Sequence, residues 1–353
     1  QAKKDFVLIN GGELGTTCAR VGCMPSKALI QVAHDLHRRE IFEREGIEGG
    51  ADLTVNLPDA LEHVRDLRDI LVDRVLANST DQMGETFIDG YARFVDPGVL
   101  QVGQEIIHAK SIVIASGTRP FVPDEWVDFG EHIITSDTIF EMEDLPQSIA
   151  IVGLGIIGLE IGQALSHLGV TVTGVDQLET IAGLNDPSAS QSAIELMTRT
   201  FPVWLGHQAK LTSEGSQIRV SAGEHSVVVD KVLAAMGRRS NVDWLSIENA
   251  GVDLNEAGLP VFDPNTMQCG ESRVFIAGDI AALNPVLHEA ADEGRIAGYN
   301  AARQNSTAFK RKTPFAITFT SPNICTIGAS FDSLDPGTIE IGEMRLGPVG
   351  RAL

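Results

Sequence analysis

The sequence predicts an α/β fold, because short apolar runs of strand length alternate with glycine-containing turns and with segments of helical periodicity. The pattern is clearest between residues 149 and 176. There an apolar strand at 149–152 leads into Gly-Leu-Gly-Ile-Ile-Gly, a helix at 159–168 follows, and a second strand at 170–175 ends at an aspartate. The chain of 353 residues, 43% of them hydrophobic, has room for two or three domains with an ample core.

The other elements follow from the same two periodicities. Helical spacing of apolar residues predicts a helix at 28–41 and a long amphipathic helix with a charged outer face at 57–83. Apolar or alternating runs predict strands, of which those at 5–9, 111–115 and 230–236 should be buried. The full set of these strands is 5–9, 90–94, 101–108, 111–115, 230–236 and 273–277.

Composition and charge exclude several classes of partner. The chain has 48 acidic and 27 basic residues, and its net charge of −21 opposes binding to nucleic acid or to an anionic membrane. It has no apolar run of 18 residues and no signal-peptide pattern at 1–10. We therefore expect an intracellular protein, in the bacterial cytoplasm or, in a eukaryote, in the mitochondrial matrix. Four cysteines in a chain of this size fit a reducing compartment.

Redox chemistry is predicted at Cys18 and Cys23, which lie five positions apart just before the helix at 28–41. On a regular helix their Cα atoms would be roughly 8–9 Å apart, which is beyond the reach of a disulfide. A bridge therefore requires a distorted turn, and Gly22 could supply one. The positive end of the helix dipole and the nearby cation of Lys27 should make Cys23 the more acidic thiol.

The spacing alone leaves two other interpretations open, namely a pair of core cysteines or half of a zinc site. Against zinc, Cys269 and Cys325 are isolated and no histidine lies at a ligand-like spacing, so no metal site is predicted. The longer stretch Gly-Thr-Thr-Cys-Ala-Arg-Val-Gly-Cys-Met-Pro-Ser-Lys, at 15–27, closely resembles the redox-disulfide signature of the flavin-dependent pyridine nucleotide disulfide oxidoreductases. That resemblance implies a redox disulfide between Cys18 and Cys23.

The second motif, Gly-Leu-Gly-Ile-Ile-Gly, predicts a dinucleotide site rather than a mere packing turn, because it joins a strand to a helix. Gly153, Gly155 and Gly158 would let the backbone approach a pyrophosphate at the helix N-terminus. Asp176, 23 residues after the first glycine, would accept hydrogen bonds from both ribose hydroxyls. A 2′-phosphate would meet like charge there, and residues 177–182 offer no arginine, so NAD is preferred over NADP.

The resemblance covers nearly the whole chain and implies two Rossmann-like nucleotide-binding domains. An FAD-binding domain at 1–119 and 251–312 would be split in sequence by an NAD-binding domain at 120–250, and an α+β interface domain would begin at 313–353, with its first strand at 315–328. The first strand and glycine loop of the flavin domain are expected upstream of the strand at 5–9. The family's His-Glu proton-transfer pair is expected beyond the last residue, so we expect this sequence to lack both.

The resemblance also assigns site residues. Catalytic roles would fall to Cys18, Cys23, Lys27 and Glu160. FAD would be bound by Asn10, Thr17, Lys27, Ala92, Ser116, Gly117, Asp279 and Leu287. NAD would be bound by Gly153, Gly155, Gly158, Asp176 and Gly237.

Several of these assignments have a simpler interpretation. Glu160 is expected to pair with Lys27 beside the flavin, but it could instead be a solvated carboxylate in the first turn of its helix. Asp279 is expected to accept a hydrogen bond from a ribityl hydroxyl, but it could be an ordinary helix cap. Asn10 stands where the family has an acidic residue and would contact the adenosine ribose without a charge. His288 has the chemistry of a base, but we expect it to be structural.

The implied reaction is thiol–disulfide exchange coupled to hydride transfer. In a dihydrolipoamide dehydrogenase-like enzyme, Cys18 would exchange with dihydrolipoamide, Cys23 would form a charge-transfer contact with FAD, and NAD⁺ would accept the hydride. The alternatives are a mercuric reductase-like enzyme, another NAD(P)H-dependent disulfide reductase, or a redox-inert flavoprotein-like scaffold. The implied partners are a small dithiol or disulfide, the lipoyl domains of 2-oxoacid dehydrogenase complexes, and a second copy of the chain in a homodimer.

Overall fold

The computed structural model of the protein describes residues 4–335 and 337–345. The helices are α1 (Thr17–Arg20), α2 (Cys23–His37), α3 (Leu57–Ala77), α4 (Ile156–His167), α5 (Pro187–Thr198) and α6 (Leu287–Ala301). The strands of the first half are β1 (Leu8–Asn10), β2 (Phe87–Asp89), β3 (Ala92–Asp96), β4 (Val99–Val102), β5 (Glu105–His108), β6 (Ile112–Ile114), β7 (Thr118–Pro120), β8 (Ile133–Thr135) and β9 (Ser148–Val152). The remaining strands are β10 (Thr171–Val175), β11 (Val203–Trp204), β12 (Lys210–Glu214), β13 (Gln217–Ala222), β14 (His225–Val229), β15 (Lys231–Ala234), β16 (Arg238–Ser240), β17 (Val274–Ile276), β18 (Phe315–Thr318) and β19 (Ile324–Ile327). No helix in the described ranges is long and apolar enough to cross a lipid bilayer.

A five-stranded parallel sheet, in the order β11-β10-β9-β15-β8, forms the centre of the segment at 120–250. Its central strand β9 is apolar on both faces, as is usual when a parallel sheet is covered on both sides. Ile149 and Ile151 pack in the cluster that contains α4, whereas Ala150 and Val152 face the antiparallel sheet β12-β13-β14. The strand-turn-helix-strand order predicted for 149–175 is therefore confirmed, and the fold is α/β.

Helices α2 and α4 lie side by side in the core. Near their N-termini the ammonium of Lys27 lies 2.7 Å from the carboxylate of Glu160. Near their C-termini the rings of His37 and His167 stack with centroids 3.7 Å apart. The two helices therefore run in the same direction, which places the N-terminal turn of α2 on the same side of the molecule as the glycine turn before α4.

The segments at 1–119 and 251–312 contain two separate parallel strand pairs, β1 with β2 and β6 with β17. The sequence predicted that the strands at 5–9 and 111–115 are buried, and this is wrong for their outward side chains. Phe6 is 60% exposed and Val113 is 40% exposed. Within the described ranges, each of these strands has a hydrogen-bonded partner on one edge only. Phe6 and Val113 both line the cleft that is described below.

Four predicted elements have different bounds in the structure. The predicted strand at 101–108 is a hairpin of β4 and β5, because Gly103 adopts the left-handed region (φ +57°) at its turn. The segment at 315–328 is likewise an antiparallel hairpin, β18 with β19. The predicted helix at 57–83 ends at Ala77, and the one at 28–41 begins earlier, at Cys23.

Two crossing strands link the segment at 120–250 to the rest of the chain. Strand β7 leads into this segment and pairs antiparallel with β16, which leads out of the five-stranded sheet. The guanidinium of Arg238 binds the Asp137 carboxylate at 2.9 Å and the Thr118 hydroxyl at 2.9 Å. These bonds hold the two crossings together beside the cleft.

Candidate active site

A cleft of about 4170 Å³ lies between the two parallel strand pairs, helix α2 and the carboxyl edge of the five-stranded sheet. Carboxyl edges of parallel sheets are the usual place for nucleotide binding. Every predicted site residue lines this cleft except Gly158. The lining residues among the predictions are Asn10, Thr17, Cys18, Cys23, Lys27, Ala92, Ser116, Gly117, Gly153, Gly155, Glu160, Asp176, Gly237, Asp279 and Leu287.

The two cysteines lie in different helices. Cys18 is in α1, and Cys23 is the first residue of α2, whose N-cap is Gly22 with φ −115° and ψ −116°. This break is the distorted turn that the spacing of the cysteines requires. A Cβ on Gly22 would lie 3.0 Å from the carbonyl oxygen of Thr17, so a larger residue would crowd the turn. Both cysteines are free and only partly exposed, which leaves them accessible from the cleft.

The pKa values of the two thiols are shifted in opposite directions. The Cys18 thiol donates a hydrogen bond to the sulfur of Cys23, and with the cation of Lys27 this lowers the pKa of Cys23 to about 6, against the effect of burial. The same hydrogen bond, burial and the negative charge on Cys23 raise the pKa of Cys18. Cys23 is therefore the thiolate at neutral pH, and its position in the sequence predicted that it is the more acidic thiol. The largest cause of its lowered pKa, however, is the hydrogen bond from Cys18 and not the helix.

Lys27 and Glu160 form an ion pair across the interface of α2 and α4. Glu160 is 3% exposed, so it is not the solvated first-turn carboxylate that the sequence left open. Its Oε2 accepts from Lys27 at 2.7 Å, and its Oε1 accepts from the backbone N–H of Phe319 at 2.9 Å. The Lys27 ammonium also lies 4.8 Å from the centroid of the Phe319 ring. These contacts fix a cation one helical turn from Cys23.

The three glycines of the second motif have different structural reasons. A Cβ on Gly153 (φ +97°) would lie 2.4 Å from the carbonyl oxygen of Ala235, and one on Gly158 would lie 1.9 Å from the carbonyl oxygen of Gly153. Both are required for close packing of the turn. A Cβ on Gly155 would meet no atom within 4 Å, so this position opens into the cleft. Ligand approach is therefore predicted at Gly155, while Gly158 lies behind the turn.

Asp176 directly follows β10 and holds the glycine turn. Its Oδ2 accepts from the N–H of Leu154 at 2.6 Å, and its Oδ1 accepts from the N–H of Leu178 at 2.9 Å. A carboxylate has about four lone-pair positions, so two remain for hydroxyl donors of a ligand. Because both carboxylate oxygens are hydrogen-bonded to the backbone, the orientation of the carboxylate, and so of its free acceptor positions, is fixed by the turn.

The predicted flavin contacts lie along the opposite wall. Asp279 begins a 3-10 turn, and α6 starts only at Leu287, so the helix-cap interpretation of Asp279 is wrong. Leu287 itself is 60% exposed. Asn10 donates a hydrogen bond to the carbonyl oxygen of Gly12 at 3.0 Å, which leaves its amide oxygen free. The carbonyl of Ser116 accepts from an Asn241 side chain at 2.9 Å.

Open backbone positions complete this wall. Gly117 (φ +65°) and Gly237 (φ +110°) have no atom within 4 Å of an added Cβ. Thr17 and Ala92 line the cleft, as does Tyr91, which is 63% exposed and whose ring lies against Gly11. Bare backbone of this kind suits a flat ligand that approaches closely.

The two predicted cofactors fit this geometry. For NAD, the N-terminus of α4 has no side-chain cap, Gly155 is open, and Asp176 retains free acceptor positions. For FAD, Gly117 is open, and the Asp279 carboxylate lines the cleft without a hydrogen-bond partner in the described ranges. FAD between these residues and Cys23 would have the cation of Lys27 nearby.

Sequence reasoning missed the residues that join Glu160 to the hairpin β18–β19. Besides Phe319, Gln163 accepts from the backbone N–H of Ser321 at 2.6 Å and donates to its carbonyl oxygen at 3.2 Å. These partners are about 158 residues apart in the chain. No local pattern of residue types signals such a contact, so only the folded chain reveals it.

Known proteins resemble this chain in sequence and fold. It is 28% identical to the dihydrolipoyl dehydrogenase of Thermus scotoductus over 361 residues, covering 98% of this chain and 76% of that protein. It is 28% identical to a mercuric reductase of Staphylococcus aureus over 338 residues, covering 91% of this chain and 59% of that protein. The solved structure of LpdA from Mycobacterium tuberculosis superposes with a TM-score of 0.81 at 23% identity, covering 96% of this chain and 75% of LpdA.

The family model for pyridine nucleotide-disulphide oxidoreductases matches residues 1–305, which include the glycine turn before α4, the cysteine pair and Asp279. Proteins of this family use FAD and NAD(P). Since the match covers most of the chain and the fold agrees, this chain belongs to the pyridine nucleotide-disulphide oxidoreductase family.

Proposed function

We propose that the protein is a dihydrolipoamide dehydrogenase-like enzyme, which passes electrons from dihydrolipoamide through a Cys18–Cys23 disulfide and FAD to NAD⁺. The observation that carries the proposal is the asymmetric thiol pair, in which Cys23 has a pKa of about 6 and faces the same cleft as the open glycine turn. A pair of this kind has a nucleophilic thiolate and a neutral exchange partner.

Each residue of the pair would have a distinct part in the exchange. One thiol of dihydrolipoamide would attack the Cys18 sulfur, the Cys18–Cys23 bond would break, and Cys23 would leave as a thiolate stabilised by Lys27. The second substrate thiol would then attack the substrate sulfur bound to Cys18 and displace Cys18, so that dihydrolipoamide is oxidised to lipoamide and the cysteine pair is reduced. FAD, when bound, would take up these two electrons and supply a hydride to NAD⁺, with release of a proton.

The residues around the pair would hold this arrangement. Glu160 would fix Lys27, whose cation would favour negative charge on Cys23 and on the neighbouring flavin ring. Asp176 would bind the ribose of NAD⁺ through its two free acceptor positions, and Asp279 would bind a ribityl hydroxyl of FAD.

A mercuric reductase-like activity is the second candidate. It is favoured by the match to the Staphylococcus aureus mercuric reductase, which has the same 28% identity as the match to the Thermus scotoductus dihydrolipoyl dehydrogenase. Both activities would use the same thiol pair and cofactors, but they differ in the acceptor of electrons.

We further propose that the protein works as a homodimer and accepts lipoyl groups carried by the lipoyl domains of 2-oxoacid dehydrogenase complexes. The hairpin β18–β19 supports the first part, because Ile327 is 73% exposed and Phe315 is 39% exposed on adjacent strands. Exposed apolar strands at a sheet edge favour association with another chain. The mass of the purified protein in solution measures this directly.

The test of the function compares three reactions of the purified protein. NADH formation from dihydrolipoamide and NAD⁺ is the expected activity, and a long-wavelength absorption band should appear on two-electron reduction. Cys23→Ser should lose turnover while FAD stays bound. Cys325→Ser, an exposed cysteine outside the cleft, should retain it. Lipoamide activity in Cys23→Ser would contradict the proposal, and reduction of Hg²⁺ by NAD(P)H without lipoamide activity would favour the second candidate.

A further inference from the structure

Helix α6 carries a buried carboxylate that the proposed chemistry does not use. Glu293 is 1% exposed, and both of its oxygens have donors. Oε2 accepts a hydrogen bond from the backbone N–H of Gly278 at 2.8 Å, and Oε1 accepts one from Arg311 at 3.0 Å. Arg311 also donates to Glu289, one turn earlier on α6, at 2.6 Å. The charged groups form one ion cluster beside the end of β17.

This cluster is not explained by stability alone. Two buried carboxylates face one guanidinium, and burial raises the pKa of Glu293 against the opposing effects of Arg311 and the Gly278 N–H. Replacing such buried ionic groups by apolar packing of the same volume is often neutral or stabilising. We therefore interpret Glu293, the second buried glutamate of the cluster, as a residue that fixes geometry, because each of its two oxygens holds one particular donor in place.

The donor that Glu293 fixes belongs to the turn before Asp279. Gly278 has φ +80° and ψ −160°, a conformation that L side chains rarely adopt, and its carbonyl accepts from the N–H of Ala281 at 2.8 Å. Glu293 thus holds the Ala277–Gly278 peptide group, one peptide before the bond that joins Gly278 to Asp279. The carboxylate of Asp279 accepts no hydrogen bond within the described ranges, so its direction is set by this backbone.

We propose that Glu293, held by Arg311, is a positioning residue for the cofactor: it fixes the Gly278–Asp279 turn so that the Asp279 carboxylate faces the ribityl chain of FAD. The inference rests on the proposed function only in taking FAD as the ligand of this cleft wall. Arg311 leads into β18, so the same bonds connect the start of the hairpin to the flavin turn.

The chain offers a matched pair of variants. In Glu293→Gln the amide has one acceptor oxygen for two donors, so either Gly278 or Arg311 loses its hydrogen bond. In Glu289→Gln only one oxygen is used in the wild type, and the amide oxygen can still accept from Arg311. Because a lost hydrogen bond to a charged group changes binding about tenfold or more, Glu293→Gln should weaken FAD binding by at least about tenfold, and Glu289→Gln by less than about twofold.

The measurement is the FAD dissociation constant of each apoprotein, followed by flavin fluorescence, together with NADH binding followed by fluorescence. The NADH dissociation constant should not change, since the glycine turn before α4 belongs to the five-stranded sheet, whereas Gly278 follows the separate β6–β17 pair. The double variant Glu293→Gln/Asp279→Asn should bind FAD no more weakly than Asp279→Asn alone, because Glu293 acts through Asp279. Glu293→Asp, which keeps the charge but shortens the reach, should also weaken FAD binding and serves if the amide variant does not fold.

The outcomes separate the two claims. Equal FAD affinity of Glu293→Gln, Glu289→Gln and wild type, with a loss in Asp279→Asn, would overturn the positioning role and leave the proposed function intact. Additive losses in the double variant would also overturn it, since they would indicate independent contributions. Absence of FAD binding by the wild type would instead contradict the proposed function itself.

Discussion

Replacing Cys18 separates the causes of the acidity of Cys23. The hydrogen bond from the Cys18 thiol is its largest cause, and Lys27 acts in the same direction. A hydrogen bond to a charged group contributes about 1.5–3 kcal/mol, and one pKa unit corresponds to about 1.4 kcal/mol. Cys18→Ala should therefore raise the pKa of Cys23 from about 6 by about one to two units. Cys18→Ser keeps an O–H donor and should change it by less than about half a unit.

The assay is alkylation of the reduced protein at a series of pH values, with the extent of reaction at each cysteine measured by mass spectrometry. Two other cysteines are internal controls: Cys325 is exposed, and burial raises the pKa of Cys269 to about 12, so Cys269 should not react. Equal shifts in the alanine and serine variants would refute the reasoning. So would a wild-type Cys23 that titrates near the ordinary value of a free thiol.

The remaining predictions concern the ion pair, the glycine turn and pH. Glu160→Gln removes an anion that raises the pKa of Cys23, so alkylation of Cys23 should shift to lower pH. Urea unfolding of this variant should show a loss of stability of about 1–2 kcal/mol, because Lys27 can still reach solvent. A shift of Cys23 alkylation to higher pH would contradict this reasoning. Gly158→Ala places a Cβ 1.9 Å from a carbonyl oxygen and should destabilise the fold by about 3 kcal/mol or more. Gly155→Ala should have the stability of the wild type but bind NADH more weakly. Thermal unfolding and NADH titration distinguish the two variants, and equal effects would argue against the assigned roles. Burial and the neighbouring His37 and His34 lower the pKa of His167 to about 4, below its value of 6.5 in the unfolded chain. Between these two pH values the unfolded chain binds the additional proton, so the free energy of unfolding should fall by about 1–2 kcal/mol as the pH drops from 6.5 to 4. Denaturant unfolding over that range should show a smaller loss in His167→Phe, and an equal loss would exclude this cause.

Local patterns in the sequence were enough for the fold class and the family. The strand, glycine turn, helix and second strand at 149–175 were predicted from periodicity and residue type, and the structure confirms them. The bounds of several elements were wrong because a turn glycine such as Gly103 can interrupt a run that reads as one strand. The roles of the individual site residues stay predictions, although the structure brings all of them except Gly158 to one cleft.

The sequence by itself determined that a helix follows the cysteine pair, that the glycines at 153–158 join a strand to a helix, and that an aspartate follows the second strand, since these features depend on neighbours in the chain. Only the tertiary structure decided which groups these residues meet. Glu160 is joined to Phe319 and Glu293 to Gly278 through contacts between distant elements, and their burial gives those contacts their importance. The physical reason is that the desolvation of a carboxylate, and the donors that compensate for it, arise from packing and leave no trace in local periodicity.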